Sequence, residues 1–355
     1  MTDNKKRLVI VTAKNLRTTS DCSPETILNI LDNLDPESCT VDVVLIDSFV
    51  PKEMRVEESQ LIDLPMYIPF DQVFKHKLIS KVINLEELTF GEMSRNYDMA
   101  IVAIYNDLGE DGKFLGILDI LGIPYLSPSL KVSAVCFDKS YTRSILSANN
   151  VVIPKGFFVH TNEYSIQKLD QKIVQEVGYP VVVKAVSSGN SYGMSIVKVN
   201  NELEKAMKMA YSFSEEVLIE QLIVGQEYTV GVIGQYLNPT TLPAVQISSH
   251  SEFFDYSAKY EAGKSEEICP APVSSEVANM LSSAARFAYI AVKGDSHARI
   301  DMILSSQDNK VYVLDINTFP GLNSASLFPK ELIASGTSLK NFLNEEIKLR
   351  AKLAR

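Results

Sequence analysis

The stretch Gly178-Tyr179-Pro180-Val181-Val182-Val183-Lys184 places a run of β-branched residues directly before a lysine. The small, polar stretch Ser187-Ser188-Gly189-Asn190-Ser191-Tyr192-Gly193 follows, and a second apolar run spans 195–199. This order predicts two antiparallel strands joined by a glycine-containing loop whose successive backbone N–H groups can face a phosphate. The loop is not a P-loop, because no helix follows it, and by itself an ordinary hairpin explains it equally well. Lys184 ends an apolar strand, so its ammonium group must reach solvent, the simpler interpretation, or bind an anion.

A second pattern puts polar residues on two neighbouring predicted strands, which span 298–304 and 310–315. Arg299 and Asp301 lie on the first strand, and Asp315 and Asn317 lie at the end of the second. Because residues i and i+2 of a strand share a face, each pair points to one side. Carboxylate and amide oxygens suit Mg²⁺, which completes its shell with water and nucleotide phosphates. The pattern therefore indicates a metal site, and the alternative is a solvated polar face.

A third pattern is the aromatic, polar segment Phe253-Phe254-Asp255-Tyr256-Ser257-Ala258-Lys259-Tyr260. Its aromatic residues fit neither a strand period nor an amphipathic helix. The segment predicts a lid that folds over a ligand, with Lys259 reaching a phosphate and Tyr260 forming a hydrogen bond. A surface loop anchored by its aromatic residues is an equal alternative.

The first third of the chain alternates apolar strand runs with helical patterns. Fully apolar strands separated by helices predict a parallel sheet that is covered on both faces. Residues 51–95 are harder to interpret and are predicted to hold a hairpin or a long excursion. Asp111, in the acidic turn before the second helix, is interpreted first as a capping residue. The predicted strands are 8–12, 41–46 and 99–104, and the predicted helices are 24–34 and 112–121.

Composition narrows the class of protein. A chain of 355 residues exceeds one ordinary core and predicts two or three domains. Its 44 acidic and 34 basic residues give a net charge of -10, which argues against nucleic-acid or membrane partners. The sequence holds neither a signal peptide nor an apolar run of about 20 residues. The four cysteines have no paired spacing, which predicts reduced thiols and a cytoplasmic location.

Taken in order, these motifs resemble the D-alanine–D-alanine ligases, a family of the ATP-grasp group. The likeness covers residues 98–355 well and the first 97 residues only loosely. The motifs that carry it are Gly109–Gly112, Gly122–Tyr125, Asp138-Lys139, Gly178–Lys184, Gly189–Gly193, Val217–Glu220, Gly225–Val230, Asp255–Tyr260, Arg299–Asp301, Asn317–Gly321 and Ser326-Leu327.

The resemblance implies an α/β, three-domain ATP-grasp ligase. An N-terminal parallel-sheet domain would be followed by two α+β domains that clasp ATP. The implied domains are an N-terminal substrate domain at 1–127, a central ATP-grasp subdomain at 128–222 and a C-terminal ATP-grasp subdomain with the lid and metal site at 223–355. The resemblance also implies a homodimer that acts on small amino-acid substrates.

The resemblance further implies an ATP site with two Mg²⁺ ions, for which Mn²⁺ is a possible substitute. Asp301, Asp315 and Asn317 would hold the metal, with Asn317 also facing ATP. Backbone groups of Gln221 and Leu222, after Glu220, would meet adenine, and Glu227 would bind ribose. The residues assigned to the phosphates and their cover are Lys139, Lys184, Gly189, Ser191, Gly193, Phe253 and Lys259.

The implied reaction forms a peptide bond through an acyl phosphate. Arg299 and the backbone N–H of Gly321 would stabilise the oxyanion of the tetrahedral intermediate, an effect commonly worth about 3 kcal/mol per donor. Ser326 and Leu327 would bind the carboxylate of the second substrate. The remaining assigned residues are Asn190 and Asp21 in catalysis, Tyr260 in catalysis and substrate binding, and Asp21, Tyr105, Glu110 and Arg299 in substrate binding.

Departures from the family pattern gather where the first amino acid would lie. Asp21 is the best counterpart of the glutamate that grips the ammonium group of the first substrate, and Tyr105 replaces a histidine. Asn190 replaces a serine, and Asp315 replaces a glutamate at one metal position. D-Alanyl-D-alanine synthesis is the favoured activity. The alternatives are the same chemistry on a different or carrier-bound donor, in secondary metabolism or resistance, and an ATP-binding sensor without catalysis.

Overall fold

The structure is a computed structural model that describes residues 5–14, 23–50, 68–161, 163–186, 193–249 and 265–353. Up to residue 137 the elements are β1 (Lys6–Thr12), α1 (Ser23–Asn33), β2 (Cys39–Leu45), α2 (Phe70–Val73), β3 (Ile79–Asn84), α3 (Phe90–Asn96), β4 (Met99–Val102), α4 (Lys113–Leu121) and α5 (Leu130–Phe137). After it they are α6 (Lys139–Ala148), β5 (Gly156–His160), α7 (Ile166–Glu176), β6 (Val181–Ala185), β7 (Ser195–Val197), α8 (Leu203–Tyr211), β8 (Glu216–Gln221), β9 (Gly225–Ile233), β10 (Thr240–Thr241), β11 (Val245–Ser249), β12 (Ser265–Ile268), α9 (Ser275–Ala291), β13 (His297–Ser305), β14 (Val311–Asn317), α10 (Leu327–Ala334) and α11 (Leu339–Leu353).

The chain divides into two compact units. The first comprises residues 1–133 and 318–355, and the second comprises residues 134–317. The boundaries expected from the sequence, after residues 127 and 222, divide the chain more finely. The division into three domains therefore stays a prediction.

The first unit is built on a parallel sheet with the strand order β3-β2-β1-β4. Strand β1 pairs in parallel with both β2 and β4, and residues 8–11 are all buried. This confirms the parallel sheet predicted from the apolar runs. Residues 68–95, the described part of the segment 51–95, form no hairpin, because β3 pairs in parallel with β2 instead. The side chains of β3 are mostly exposed, so this strand lacked the apolar run of its neighbours.

The second unit contains a four-stranded antiparallel sheet with the order β5-β8-β6-β7. One face forms an apolar core with α7 and α8, to which Val181, Val183, Val217 and Ile219 contribute. Because strand side chains alternate, the opposite face carries Lys184 and Glu220. Strands β6 and β7 flank residues 187–192 and pair antiparallel as predicted, although the loop itself lies outside the described residues.

The second unit also contains a larger antiparallel sheet with the order β12-β11-β9-β13-β14, in which β10 pairs with β9. Helix α9 covers one face through buried residues that include Leu281, Ala285 and Tyr289. The register between β13 and β14 shifts by one residue, since Asp301 lies opposite Asp315 whereas Met302 lies opposite Val313. Leu314 is thus an extra residue, a β-bulge that re-aims the side chains after it.

The mixed α/β architecture, with one parallel and two antiparallel sheets, confirms the fold class expected from the sequence. Over the described ranges, no helix is both long enough and apolar enough to cross a membrane.

Candidate active site

The face of the larger sheet opposite α9 carries four of the predicted site residues. Arg299 lies opposite Asn317, and Asp301 lies opposite Asp315 on the antiparallel pair β13 and β14. The Arg299 guanidinium grips Asp301 with two hydrogen bonds, from Nε to Oδ1 at 2.9 Å and from Nη2 to Oδ2 at 3.0 Å. Thr229 Oγ1 also donates to Asp301 Oδ1, at 2.7 Å. The structure therefore brings these predicted residues together in an ordered polar cluster.

This cluster fits a divalent cation. Side chains directly opposite each other on antiparallel strands have Cβ atoms about 5 Å apart, so Asp301 and Asp315 are neighbours on one face of the sheet. Asp315 is 38% exposed and Asp301 is 16% exposed, so both are accessible to a ligand. No cluster of three His, Cys, Asp or Glu residues suited to a metal occurs among the described residues. Two carboxylates and the amide of Asn317 are a small oxygen set of the kind that suits Mg²⁺ with bound phosphates.

Lys139 is placed beside this cluster by the start of α6. The Asp138 side chain caps the helix by accepting from the backbone N–H groups of Ser140 and Tyr141. Lys139 Nζ lies 3.6 Å from Asp315 Oδ2, and the lysine side chain is 16% exposed. A cation that is partly shielded from water and next to the oxygen cluster is well suited to bind phosphate.

Lys184 and Glu220 meet on the charged face of the smaller sheet. Lys184 Nζ lies 2.5 Å from Glu220 Oε1, and the Glu220 side chain is 2% exposed. Lys184 therefore binds an anion, a carboxylate of the protein itself, whereas the simpler interpretation from the sequence was that it reaches solvent. Arg143 Nη1 donates to the other oxygen, Oε2, at 2.6 Å. Burial lowers the pKa of the Arg143 guanidinium, and the Glu220 carboxylate opposes that shift.

Arg143 shares the Glu220 carboxylate with Lys184, although no prediction from the sequence named it. Its contact with Glu220 spans 77 residues of chain, and no motif marks it. The available signal was its spacing, because Arg143 follows Lys139 by four residues and so lies on the same face of α6.

The two residues predicted to contact adenine, Gln221 and Leu222, lie at the end of β8 and directly after it. The N–H of Gln221 donates to the Lys155 carbonyl at 2.7 Å, and that of Leu222 donates to the Pro180 carbonyl at 3.3 Å. Any contact of Gln221 or Leu222 with adenine must therefore use groups other than these two backbone N–H groups. The N–H of the next residue, Ile223, donates to no described residue.

Glu227 lies on β9 opposite Ile303. Strand alternation places it on the face that carries Arg299 and Asp301. Gly193, at φ +70°, ends the loop that begins after β6, and a Cβ there would lie 2.9 Å from the Phe213 ring. The backbone therefore requires glycine at this position.

In the first unit, α1 contacts one predicted substrate-binding residue, Tyr105, and the residue that follows Gly321. The Tyr105 hydroxyl donates to Thr26 Oγ1 at 3.3 Å, and Asn29 Nδ2 donates to the Leu322 carbonyl at 2.5 Å. A single helix thus contacts both the turn after β4 and the segment that contains Gly321. A Cβ on Gly321 would lie 2.4 Å from Ser326 Oγ, and Ser326 precedes the first residue of α10, Leu327.

Hydrogen bonds to backbone N–H groups hold the acidic turn after β4. Glu110 donates its backbone N–H to the Asn106 carbonyl at 2.9 Å, and Asp111 Oδ1 accepts the backbone N–H of Lys113 at 3.0 Å. Asp111 therefore accepts the N–H of the first residue of α4, although the N-cap position predicted for it is occupied by Gly112. The other predicted site residues, Asp21, Gly189, Asn190, Ser191, Phe253, Lys259 and Tyr260, lie outside the described residues.

Two antiparallel sheets with charged faces, both contacted by α6, together with a parallel sheet in the other unit, define a fold of the ATP-grasp class. The family model described as D-ala D-ala ligase C-terminus matches residues 147–348. A D-alanine–D-alanine ligase from Carboxydothermus hydrogenoformans is 34% identical over 255 residues, which are 72% of this chain and 81% of that protein. The chain therefore belongs to the D-alanine–D-alanine ligase family.

Solved structures agree with this assignment. The D-alanine–D-alanine ligase from Coxiella burnetii has a TM-score of 0.78 at 23% identity, covering 99% of this chain and 95% of that one. The D-alanine–D-alanine ligase from Bacillus anthracis complexed with ATP has a TM-score of 0.72 at 26% identity, covering 99% and 98%. The first likeness shows the fold alone.

Proposed function

We propose that this chain is an ATP-dependent ligase that joins two D-alanine molecules into a dipeptide used for cell-wall precursors. The observation that carries the proposal is the pair Asp301 and Asp315, opposed on adjacent strands with Arg299 and Lys139 beside them. Membership of the ligase family supports the reaction, and the ATP complex of the Bacillus anthracis relative supports the co-substrate.

The reaction proceeds in two steps. A carboxylate oxygen of the first D-alanine attacks the γ-phosphorus of ATP, which forms an acyl phosphate and releases ADP. The amine of the second D-alanine then attacks the acyl carbon, loses a proton and expels inorganic phosphate. The protein positions the reactants and offsets their charge, because phosphoryl transfer requires little covalent chemistry from it.

Different residues bind the phosphates, the oxyanion, the second substrate and the metal. Lys139 and Lys184 bind the phosphates, while Arg299 and the Gly321 N–H stabilise the developing oxyanion. Ser326 and Leu327, at the start of α10, bind the carboxylate of the second substrate through the helix N-terminus. Asp301, Asp315 and Asn317 would hold Mg²⁺, which offsets phosphate charge when bound. Residues with proposed roles outside the described ranges are Asp21, Asn190, Tyr260, Gly189, Ser191, Phe253 and Lys259.

The cellular location, oligomeric state and domain division of the enzyme are part of the same proposal. Cys39, Cys136 and Cys269, the cysteines of the described residues, form no disulfide, which favours a reducing cytoplasm. The homodimer and the three-domain division rest on the family resemblance. Light scattering of the purified chain tests the first, and limited proteolysis tests the second.

The proposed function is tested by ADP release and by trapping of the acyl phosphate with hydroxylamine. The panel contains D- and L-amino acids, hydroxy acids and carrier-bound acyl groups, each with Mg²⁺ or Mn²⁺. D-Alanine hydroxamate together with D-alanyl-D-alanine is the expected outcome. Tight ATP binding without turnover of any candidate would instead indicate a sensor.

A second candidate is the same chemistry on a donor other than D-alanine. The hydrogen bond from Tyr105 to Thr26 favours it, because a bulky phenol tied to α1 reshapes a position where the family has a smaller imidazole. Hydroxamate formed only from another acid would select this candidate. Replacing the phenol through Tyr105→His should then raise the rate with D-alanine.

A further inference from the structure

Arg143, Glu220 and Lys184 form a cluster of three charges on the smaller sheet. Arg143 is the member of this cluster that has no role in the proposed reaction. One carboxylate that is 2% exposed is shared by two cations, which are 10% and 16% exposed. Arg143 also donates from Nη2 to the Pro154 carbonyl at 2.5 Å, so both arms of its guanidinium are fixed. A geometry of this kind holds the carboxylate rigidly in place.

The space around Glu220 is built for this carboxylate. Its neighbours across the two strand pairs are Gly156 and Val182, neither of which carries charge. A Cβ on Gly156 would lie 2.8 Å from the Glu220 Cβ, so glycine is needed there. Lys155, the adjacent residue of that segment, is exposed. Among the described residues, the charged groups that form ion pairs with Glu220 are therefore Arg143 from α6 and Lys184 from β6.

The two cations differ in what they can do next. Lys184 has a flexible stem and three N–H donors, and its proposed partner is a nucleotide phosphate. An anionic phosphate competes with Glu220 for this lysine. If Lys184 moved to the phosphate and nothing else paired with Glu220, a buried carboxylate would remain uncompensated, which proteins avoid by taking up a proton.

We propose that Arg143 is a positioning residue that keeps the buried Glu220 carboxylate paired while Lys184 turns from Glu220 to the nucleotide phosphates. Arg143 does not touch the nucleotide. It prevents the transfer of Lys184 from leaving a lone buried charge, so that nucleotide binding needs no proton. This inference rests on the proposed function only in requiring that the chain bind ATP.

The test is a calorimetric titration with a non-hydrolysable ATP analogue and Mg²⁺, in two buffers of different ionisation enthalpy, at pH 7.5 and 8.5. The difference between buffers counts the protons taken up. Arg143→Met should take up as much as one proton more per nucleotide than the wild type. Its affinity should be at least about tenfold lower at pH 8.5 and should improve as the pH falls.

Three further variants separate positioning from packing. Arg143→Lys keeps a cation and should show no extra proton uptake. Arg143→Met combined with Glu220→Gln removes the buried charge and should also show none. Arg286→Met, which replaces an exposed arginine in the same unit, should match the wild type. If Arg143→Met does not fold, Arg143→Gln is titrated in its place, because glutamine is neutral but can still donate to Glu220.

The outcomes are distinct. Normal affinity and no extra proton uptake in the neutral Arg143 variants would overturn the positioning role while leaving the ligase proposal intact. A wild-type chain that does not bind the analogue would contradict the proposed function itself, and the positioning role with it.

Discussion

At the scale of single residues, Gly321 and Ser326 are fitted to each other. An alanine at 321 would place its Cβ 2.4 Å from Ser326 Oγ and 3.3 Å from Ser326 Cβ. We expect Gly321→Ala to destabilise the protein by about 1–3 kcal/mol, as overpacking generally does, and to raise the KM for the second amino acid. Combining it with Ser326→Ala removes the closest contact. Urea denaturation should show most of the stability restored in the double variant, and no recovery would contradict the steric explanation.

Asp107 offers a test by pH. Burial, and then the nearby Asp111, raise its pKa above the ordinary value of 3.8, while Lys113 opposes the shift. The folded state then binds more protons than the unfolded state, so stability is highest at low pH and falls as pH rises from about 4 through the raised folded pKa. Asp107→Asn should therefore stabilise the protein at pH 7, by about 0.5 kcal/mol after solvent screening. The gain should vanish near pH 3.

The control for this prediction is Asp308→Asn, whose effect on stability at neutral pH should have the opposite sign. A hydrogen bond from Ser305, with further help from Tyr312 and Lys310, lowers the pKa of the exposed Asp308 carboxyl. Its contribution to stability is present at neutral pH and is lost as pH falls through the folded pKa. Thermal denaturation from pH 3 to 8 should show the two variants diverging in opposite directions. If Asp107→Asn were less stable than the wild type at pH 7, the raised pKa assigned to Asp107 would be contradicted.

Arg299 links the structure to catalysis. Its removal breaks two hydrogen bonds to Asp301, yet it leaves Lys139 and Lys184 in place for the phosphates. We expect Arg299→Ala to lower kcat by about 100- to 1,000-fold with little change in ATP affinity, as loss of an oxyanion donor commonly does. Steady-state rates together with analogue binding check this. Unchanged turnover would exclude the oxyanion role.

At the scale of elements, the strand pair β13 and β14 should behave as one metal-binding unit. Asp315→Ala removes one of two opposed carboxylates and should weaken Mn²⁺ binding, measured by electron paramagnetic resonance without nucleotide, by at least about tenfold. Asp315→Glu preserves the carboxylate and should be tolerated. Asp308→Ala, in the turn of the same hairpin, should leave Mn²⁺ binding unchanged. Equal affinity in all three variants would remove Asp315 from the metal site.

Elements also explain how far the sequence could predict this structure. Strands β1, β2 and β4, and the polar positions of β13 and β14, were predictable because burial alternates or runs continuously along each of them. Strand β3 was not, since its exposed side chains give no periodic signal. Arg143 could not be predicted for another reason. Its contact with Glu220 is a tertiary contact that local spacing does not encode.

At the scale of the whole molecule, nucleotide binding should protect the two units unequally. The proposed phosphate and metal ligands of the described residues lie in the second unit, on α6, β6, β13 and β14. A non-hydrolysable ATP analogue with Mg²⁺ at 100 times its Kd should stabilise the protein by about 2.7 kcal/mol. Hydrogen exchange should slow mainly in these elements. Protection confined to β1–β4 would place the nucleotide elsewhere.

The extra residue at Leu314 has a consequence for how this gene can change. Deleting that single codon would restore strict alternation along β14 and would still leave Asp315 opposite Asp301 and Asn317 opposite Arg299. One residue more or fewer between Asp315 and Asn317, where the pairing has no extra residue, would instead turn Asn317 toward the face that α9 covers. Tolerance of length variation should therefore change abruptly within a single strand.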